Sequence, residues 1–186
     1  MEIKKAMEIY FDKQRDFWQS KFGTLPKVPY NNENQINNPT IIPDSVDEED
    51  YVEWQPITQE VENIDFSELE ARTGIKINPK IKQYYNSYWF LSLVGEIDNT
   101  ILDFSTIPYG IDIVGLAERC YLSGIEKFPD GRAHFGLGYA YVDGDDSYLI
   151  YVENETTIVK CLQVEDNIVI EMGALEDVIS KMDVGM

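Results

Sequence analysis

The strongest constraint on the fold lies in the last third of the chain. Four β-favouring runs follow one another there: His134 to Val142, Ser147 to Val152, Thr156 to Val164 and Ile168 to Ile170. Between them stand Asp143-Gly144-Asp145-Asp146, Glu153-Asn154-Glu155 and Glu165-Asp166-Asn167. Connections this short and polar are hairpin connections, so consecutive strands are expected to be antiparallel neighbours in one sheet. Gly136-Leu137-Gly138, inside the first run, predicts a bulge or a close backbone approach.

Upstream, the pattern is mostly helical. Ile3, Met7, Tyr10, Phe11, Phe17, Trp18 and Phe22 recur near helical spacing, with charged residues between them, and Gly23 and Pro26 follow. This predicts a helix from Ile3 to Phe22 whose aromatic stripe faces the core. Residues 23–50 read as a long irregular connection rich in Pro and Asn, ending in Asp44, Asp47, Glu48, Glu49 and Asp50. Loops of that length are uncommon in compact domains and are often functional. A short extended segment, Tyr51 to Gln55, is stopped by Pro56. Short helices are expected from Ser67 to Gly74 and from Asn78-Pro79 through Tyr88. Strands follow at Trp89 to Val94 and Thr100 to Phe104, then a helix within 109–127 and a last one from Ala174 to Met182. The predicted class is α+β: N-terminal helices followed by an antiparallel sheet with helices packed on one side. A chain of 186 residues fits one domain, 1–186, of the usual size of roughly 100–200 residues.

Charge limits the partners. Thirty-four Asp and Glu face fifteen Lys and Arg, a net charge of -19. Such a surface disfavours direct contact with nucleic acid or anionic membranes and favours a basic protein partner, whose approach it would steer. No apolar run approaches the ~20 residues that span a bilayer, so membrane insertion is not expected. The N-terminus lacks an apolar signal core, and the expected location is cytoplasmic. Cys120 and Cys161 form no CxxC or Cys–His pattern and are expected as reduced thiols in apolar surroundings, although spacing leaves a disulfide open.

The parts that enzymes need are scarce. His134 is the only histidine, so no second histidine is available for a two-histidine metal site or an acid–base pair, although the sequence leaves a Ser-His-Asp triad using it open. Its place at the start of a strand predicts a structural role. No nucleophile elbow, P-loop or dinucleotide fingerprint is present. Asp143-Gly144-Asp145-Asp146 lacks a calcium loop's sixth-position glycine, which is Tyr148 here, and its twelfth-position Glu, which is Asn154. No catalytic, cofactor-binding or metal-ligating residues are predicted, and no cofactor.

Three stretches carry a resemblance. They are the aromatic helix with Trp18 followed by Leu25-Pro26, then Trp54-Gln55-Pro56, then the helix Ile81 to Tyr85 entering Trp89-Phe90. In this order they resemble the Syd-like branch of the SUKH superfamily, over most of the chain. The resemblance implies a SUKH-like fold and a binding protein rather than an enzyme. It implies an immunity protein that neutralises a cognate polymorphic toxin, for example a nuclease, or alternatively a Syd-type partner of the SecY channel. A third class, a small enzyme acting on a basic substrate, would need a polar pocket that the sequence does not reveal. Trp18, Pro26, Trp54 and Pro56 match the family pattern and look structural, and both tryptophans are expected to be buried. Partner contact is expected at two acidic segments: Asp44, Asp47, Glu48, Glu49 and Asp50 with Glu53, and Asp143, Asp145 and Asp146.

Overall fold

The computed structural model describes residues 1–30, 38–60 and 64–185, and their side chains except those of 145–147. The first element is helix α1, Ile3–Phe22, ended by Gly23 at φ 70, whose N–H donates to the Gln19 carbonyl. A left-handed residue after the last turn is the common glycine stop.

The segment after α1 is less irregular than expected. Strand β1, Lys27–Pro29, pairs antiparallel with β2, Tyr51–Glu53, and Ile41 bridges to Trp54. The acidic stretch between them is therefore closed at its base. Strand β3, Ile57–Thr58, pairs with β4, Tyr88–Trp89. Between these lie α2, Ser67–Thr73, and α3, Pro79–Ser87. Helix α3 starts where the Asn78 side chain accepts from the Lys80 N–H at 3.0 Å, with Pro79 at a position that needs no N–H.

Among the described residues, the main sheet has six strands. They are β5, Leu93–Ile97; β6, Thr100–Phe104; β7, His134–Val142; β8, Asp145–Glu153; β9, Ile158–Gln163; and β10, Ile168–Ala174. Their spatial order is their chain order, and every neighbouring pair is antiparallel. The meander expected from the polar joins is thus present. Strand β8 begins earlier than Ser147 because the turn needs only Asp143 and Gly144, both at positive φ (51 and 84). That is the two-residue turn whose twist matches a hairpin. The Gly136–Gly138 bulge is also present as a register shift. A Cβ at Gly138 would lie 2.0 Å from the Asp103 carbonyl oxygen, so only glycine fits there.

One face of this sheet is fully buried through Leu102, Phe104, Ala140, Ile150, Val152, Val159 and Cys161. Ile3, Met7 and Tyr10 of α1, Ile81, Tyr84 and Tyr85 of α3, and Leu175, Val178 and Ile179 of α5, Leu175–Lys181, join the same core. Helix α4, Ile113–Lys127, crosses the start of β7. Its Gly124 lies so close that a Cβ would meet the His134 carbonyl oxygen at 1.9 Å. The architecture is α+β, with the antiparallel sheet and helices that the sequence pattern implies.

Trp18 departs from expectation. It is only partly buried, and the buried residues of α1 end at Gln14. The last turns of the helix carry Phe17, Trp18 and Phe22 onto one another instead, with Trp18 and Phe22 ring centroids 4.9 Å apart. Lys21 Nζ sits over Phe17 and Phe22, so this aromatic group is a surface cluster beside the core.

Candidate functional site

The acidic loop is braced from within. Asp47 accepts from Lys27 Nζ at 2.7 Å and from the backbone N–H groups of Glu49 and Tyr51 at 3.0 and 2.9 Å. Lys27 foremost, then the Tyr51 N–H, holds the Asp47 carboxyl below its usual range. Glu53 accepts from the Leu25 N–H at 3.1 Å. Asp44 and Asp50 adopt left-handed backbone, φ 61 and 59, which a short polar side chain tolerates. Of the six residues expected to contact a partner here, Asp47 and Glu53 are half-buried struts. Asp44, Glu48, Glu49 and Asp50 are exposed.

The second acidic segment belongs to another part of the fold. Asp143 is exposed at the β7–β8 turn of the six-stranded sheet, whereas the acidic loop hangs from the two-stranded β1–β2 sheet. Asp145 and Asp146 lie in β8, and their side chains fall outside the described residues.

Pro26, Trp54 and Pro56 line a single cavity of about 150 Å³. Trp54 is 0% exposed; its backbone N–H donates to the Pro26 carbonyl at 2.9 Å, and its ring meets Phe11 edge-on at 6.5 Å. Helix α1 supplies the opposite wall with Glu8, Phe11, Asp12 and Gln14. Trp54 Nε1 and Gln14 Oε1 are buried polar atoms with no hydrogen-bond partner among the described residues. The other end of the Gln14 amide is fixed, donating to the Tyr10 hydroxyl at 3.3 Å. That hydroxyl in turn donates to the Val94 carbonyl and accepts from the Val94 N–H. The Tyr88 hydroxyl is raised above its ordinary pKa, by burial foremost, with the carboxylates of Glu8 and Asp12 adding. Sequence reading missed Glu8, Asp12 and Gln14. The available signal was the four-residue spacing of Glu8 and Asp12 on one side of α1.

A further polar group is buried at the far end of the sheet. Glu153 is 2% exposed and accepts from Lys160 Nζ at 2.6 Å and from Arg132 Nη1 at 3.0 Å, with His134 Nε2 at 4.0 Å. Burial would raise the Glu153 pKa, but Lys160 and Arg132 outweigh it and hold the carboxyl below its usual range. His134 is 0% exposed and stacks on Phe128, centroids 3.9 Å apart, and burial pushes its pKa down. Glu153 and Asn154, expected in a polar hairpin join, are buried. The reason is that Asn154 accepts from the Asn78 N–H and donates to the Lys76 carbonyl, tying β8 to the start of α3. Cys161 is fully buried, which pushes its thiol up to about 12, and both cysteines are free. Among the described residues, no three His, Cys, Asp or Glu side chains group as a metal site would require, and no helix is long and apolar enough to cross a membrane.

The sequence model of the family described as Syd protein (SUKH-2) matches residues 3–106. No curated protein matches the sequence. The family match spans α1 to β6 and includes Trp18, Pro26, Trp54 and Pro56, but it stops before the last four strands of the sheet. It covers more than half of the 186 residues, and this chain belongs to the Syd family, the SUKH-2 branch of the SUKH superfamily.

Proposed function

We propose that this protein is a cytoplasmic immunity protein that neutralises a cognate toxin by direct, one-to-one binding, without catalysis of its own. The observation that carries this reading is the braced acidic loop. Four exposed carboxylates, Asp44, Glu48, Glu49 and Asp50, stand on a segment held by Asp47, Glu53 and the β1–β2 ladder. A fixed cluster of one sign on a chain of net charge -19 suits a basic partner. Toxins that cut nucleic acid bind phosphate with basic clefts, and an acidic domain seated in or beside such a cleft would block it. Asp143, Asp145 and Asp146 are the second proposed contact, and the whole chain is proposed to act as one Syd-type unit.

The test is co-expression with any toxin found to be encoded beside this gene. The chain should restore growth, and the neutralised quadruple variant Asp44→Asn, Glu48→Gln, Glu49→Gln, Asp50→Asn should restore it less. A second reading, binding to the cytoplasmic loops of SecY, draws on the family match and on the Lys and Arg enrichment of such loops. Failure to protect against any neighbouring toxin, together with recovery of SecY on the immobilised chain, would replace the first reading by the second.

A further inference from the structure

The six-stranded sheet has two edges, and they are finished differently. At one edge β5 is met by the segment after α5, where Glu96 and Asp183 exchange backbone hydrogen bonds at 2.9 and 3.0 Å. At the other edge β10 has β9 on one side and, among the described residues, no backbone partner on the other. A strand left so presents a row of N–H and C=O groups that can template a further strand. The usual protections are weak here. Ile168-Val169-Ile170-Glu171-Met172 contains no Lys and no Pro, and the strand runs for seven residues. Its bulge, between Glu171 and Gly173, disturbs only the far end. Ile168 and Val169 are 47% and 43% exposed, and Val164, just before the turn, is exposed as well.

Charge selects the occupant. Glu171 is exposed, and its ion-pair partner among the described residues, Lys160 at 4.0 Å, is held more closely by Glu153 at 2.6 Å. Glu165 and Asp166 are exposed in the turn that leads into the strand. The edge is thus acidic at both ends and apolar between. A second copy of the chain would bring the same carboxylates and another net charge of -19 against it. A strand in which Lys or Arg alternates with apolar residues fits instead. Its backbone continues the ladder, its apolar residues lie beside Ile168 and Ile170 on one face, and its basic residues meet Glu171 on the other.

We propose that β10 is a docking edge that takes an extended basic segment of the protein partner as a seventh strand. This assignment rests on the reading that the partner is a basic protein, but it can be tested without that partner.

The probe is the peptide N-acetyl-Val-Lys-Val-Lys-Val-amide, titrated into the full chain at low salt while the backbone amides are followed by NMR and by hydrogen exchange. Shifts should saturate and concentrate in Ile168–Glu171, and exchange of the outward-facing amides there should slow. The Val-Glu-Val-Glu-Val peptide, which has the wrong charge, should bind far more weakly. So should the lysine peptide methylated at every backbone nitrogen, which has no donors. Glu171→Gln should weaken the probe about two- to fivefold, the effect of losing one exposed ion pair. Val169→Lys, the protection that natural edges use, should abolish the response while leaving the thermal melt that of a folded chain. Shifts that are absent or lie elsewhere, an equal response to the methylated peptide, or unchanged binding by a folded Val169→Lys chain would overturn the proposal. Sedimentation as a dimer that Val169→Lys dissolves would give the edge to a second copy and overturn it equally. If the probe fails while a basic partner still binds, the edge assignment falls and the functional reading stands. If the probe binds as described but no basic partner is found, the reverse holds.

Discussion

At the scale of single residues, two groups set the response to acid. His134 sits against Phe128 with Lys160, Asp130, Glu153 and the Arg132 carbonyl around it, and burial lowers its pKa below the ordinary 6.5. Between its folded value and 6.5 the unfolded chain takes up a proton that the folded chain refuses. Stability therefore rises with pH in that window and is lost as pH falls below 6.5. Glu70 and Glu153 act lower. Lys76 and Lys82 hold Glu70 at about 2, and Lys160 holds Glu153 below its usual range. Their contributions are present above the ordinary 4.5 and vanish as pH falls toward the folded values. Denaturant melts from about pH 7.5 to about pH 3 should thus show two separate losses. His134→Gln should remove the upper loss and leave the lower; a variant that tracks the wild type between pH 6.5 and 5 would contradict this origin. The two tryptophans should separate as well. Trp54→Ala empties a fully buried site and is expected to cost about 3–5 kcal/mol. Trp18→Ala touches a surface cluster with Phe22 and should cost less than half as much, as read from the same melts.

At the scale of elements, close backbone contact is the tightest constraint. Helix α4 can lie on β7 only because Gly124 has no side chain: a Cβ would sit 1.9 Å from the His134 carbonyl oxygen and 2.6 Å from its carbon. Gly124→Ala must push the helix off the strand, since a backbone carbonyl cannot rotate away. A loss of about 1–3 kcal/mol is expected in urea melts, and a change near zero would mean that α4 is free to shift. The elements themselves were largely readable. The first helix runs over Ile3–Phe22 and β7 over His134–Val142 as the pattern implies, because local periodicity and turn residues decide them. What could not be read depends on partners distant in sequence. Glu153 and Asn154 look like turn residues until Lys160, Arg132 and Asn78 are beside them. Trp18 looks like a core residue because helical spacing says which side a residue takes but not where the body of the protein ends. The cavity joins positions 8 to 14 with 54 to 56, and no local pattern links those stretches.

At the scale of the whole molecule, net charge was legible at once, but its division between struts and free surface was not. Asp47 and Glu53 spend their carboxylates on Lys27 and backbone N–H groups, while Asp44, Glu48, Glu49 and Asp50 face solvent. Neutralising those four should leave stability within about 0.5 kcal/mol of the wild type, as for ordinary surface changes. Asp47→Asn, by contrast, should lower the melting temperature by loosening the loop from Lys27. If the four steer an encounter, their loss should slow association more than it speeds dissociation. The effect should fade with salt as the Debye length falls from ~10 Å at 0.1 M to ~3 Å at 1 M. The most direct test of the central claim is a quantitative capture from the native cell, comparing the wild-type chain with the quadruple variant at low and high salt. One basic protein should be recovered in equal amount with the wild-type chain at low salt, and be depleted by the variant and by high salt. Equal recovery of the same protein by both chains at both salts, or an acidic protein as the stoichiometric partner, would contradict it.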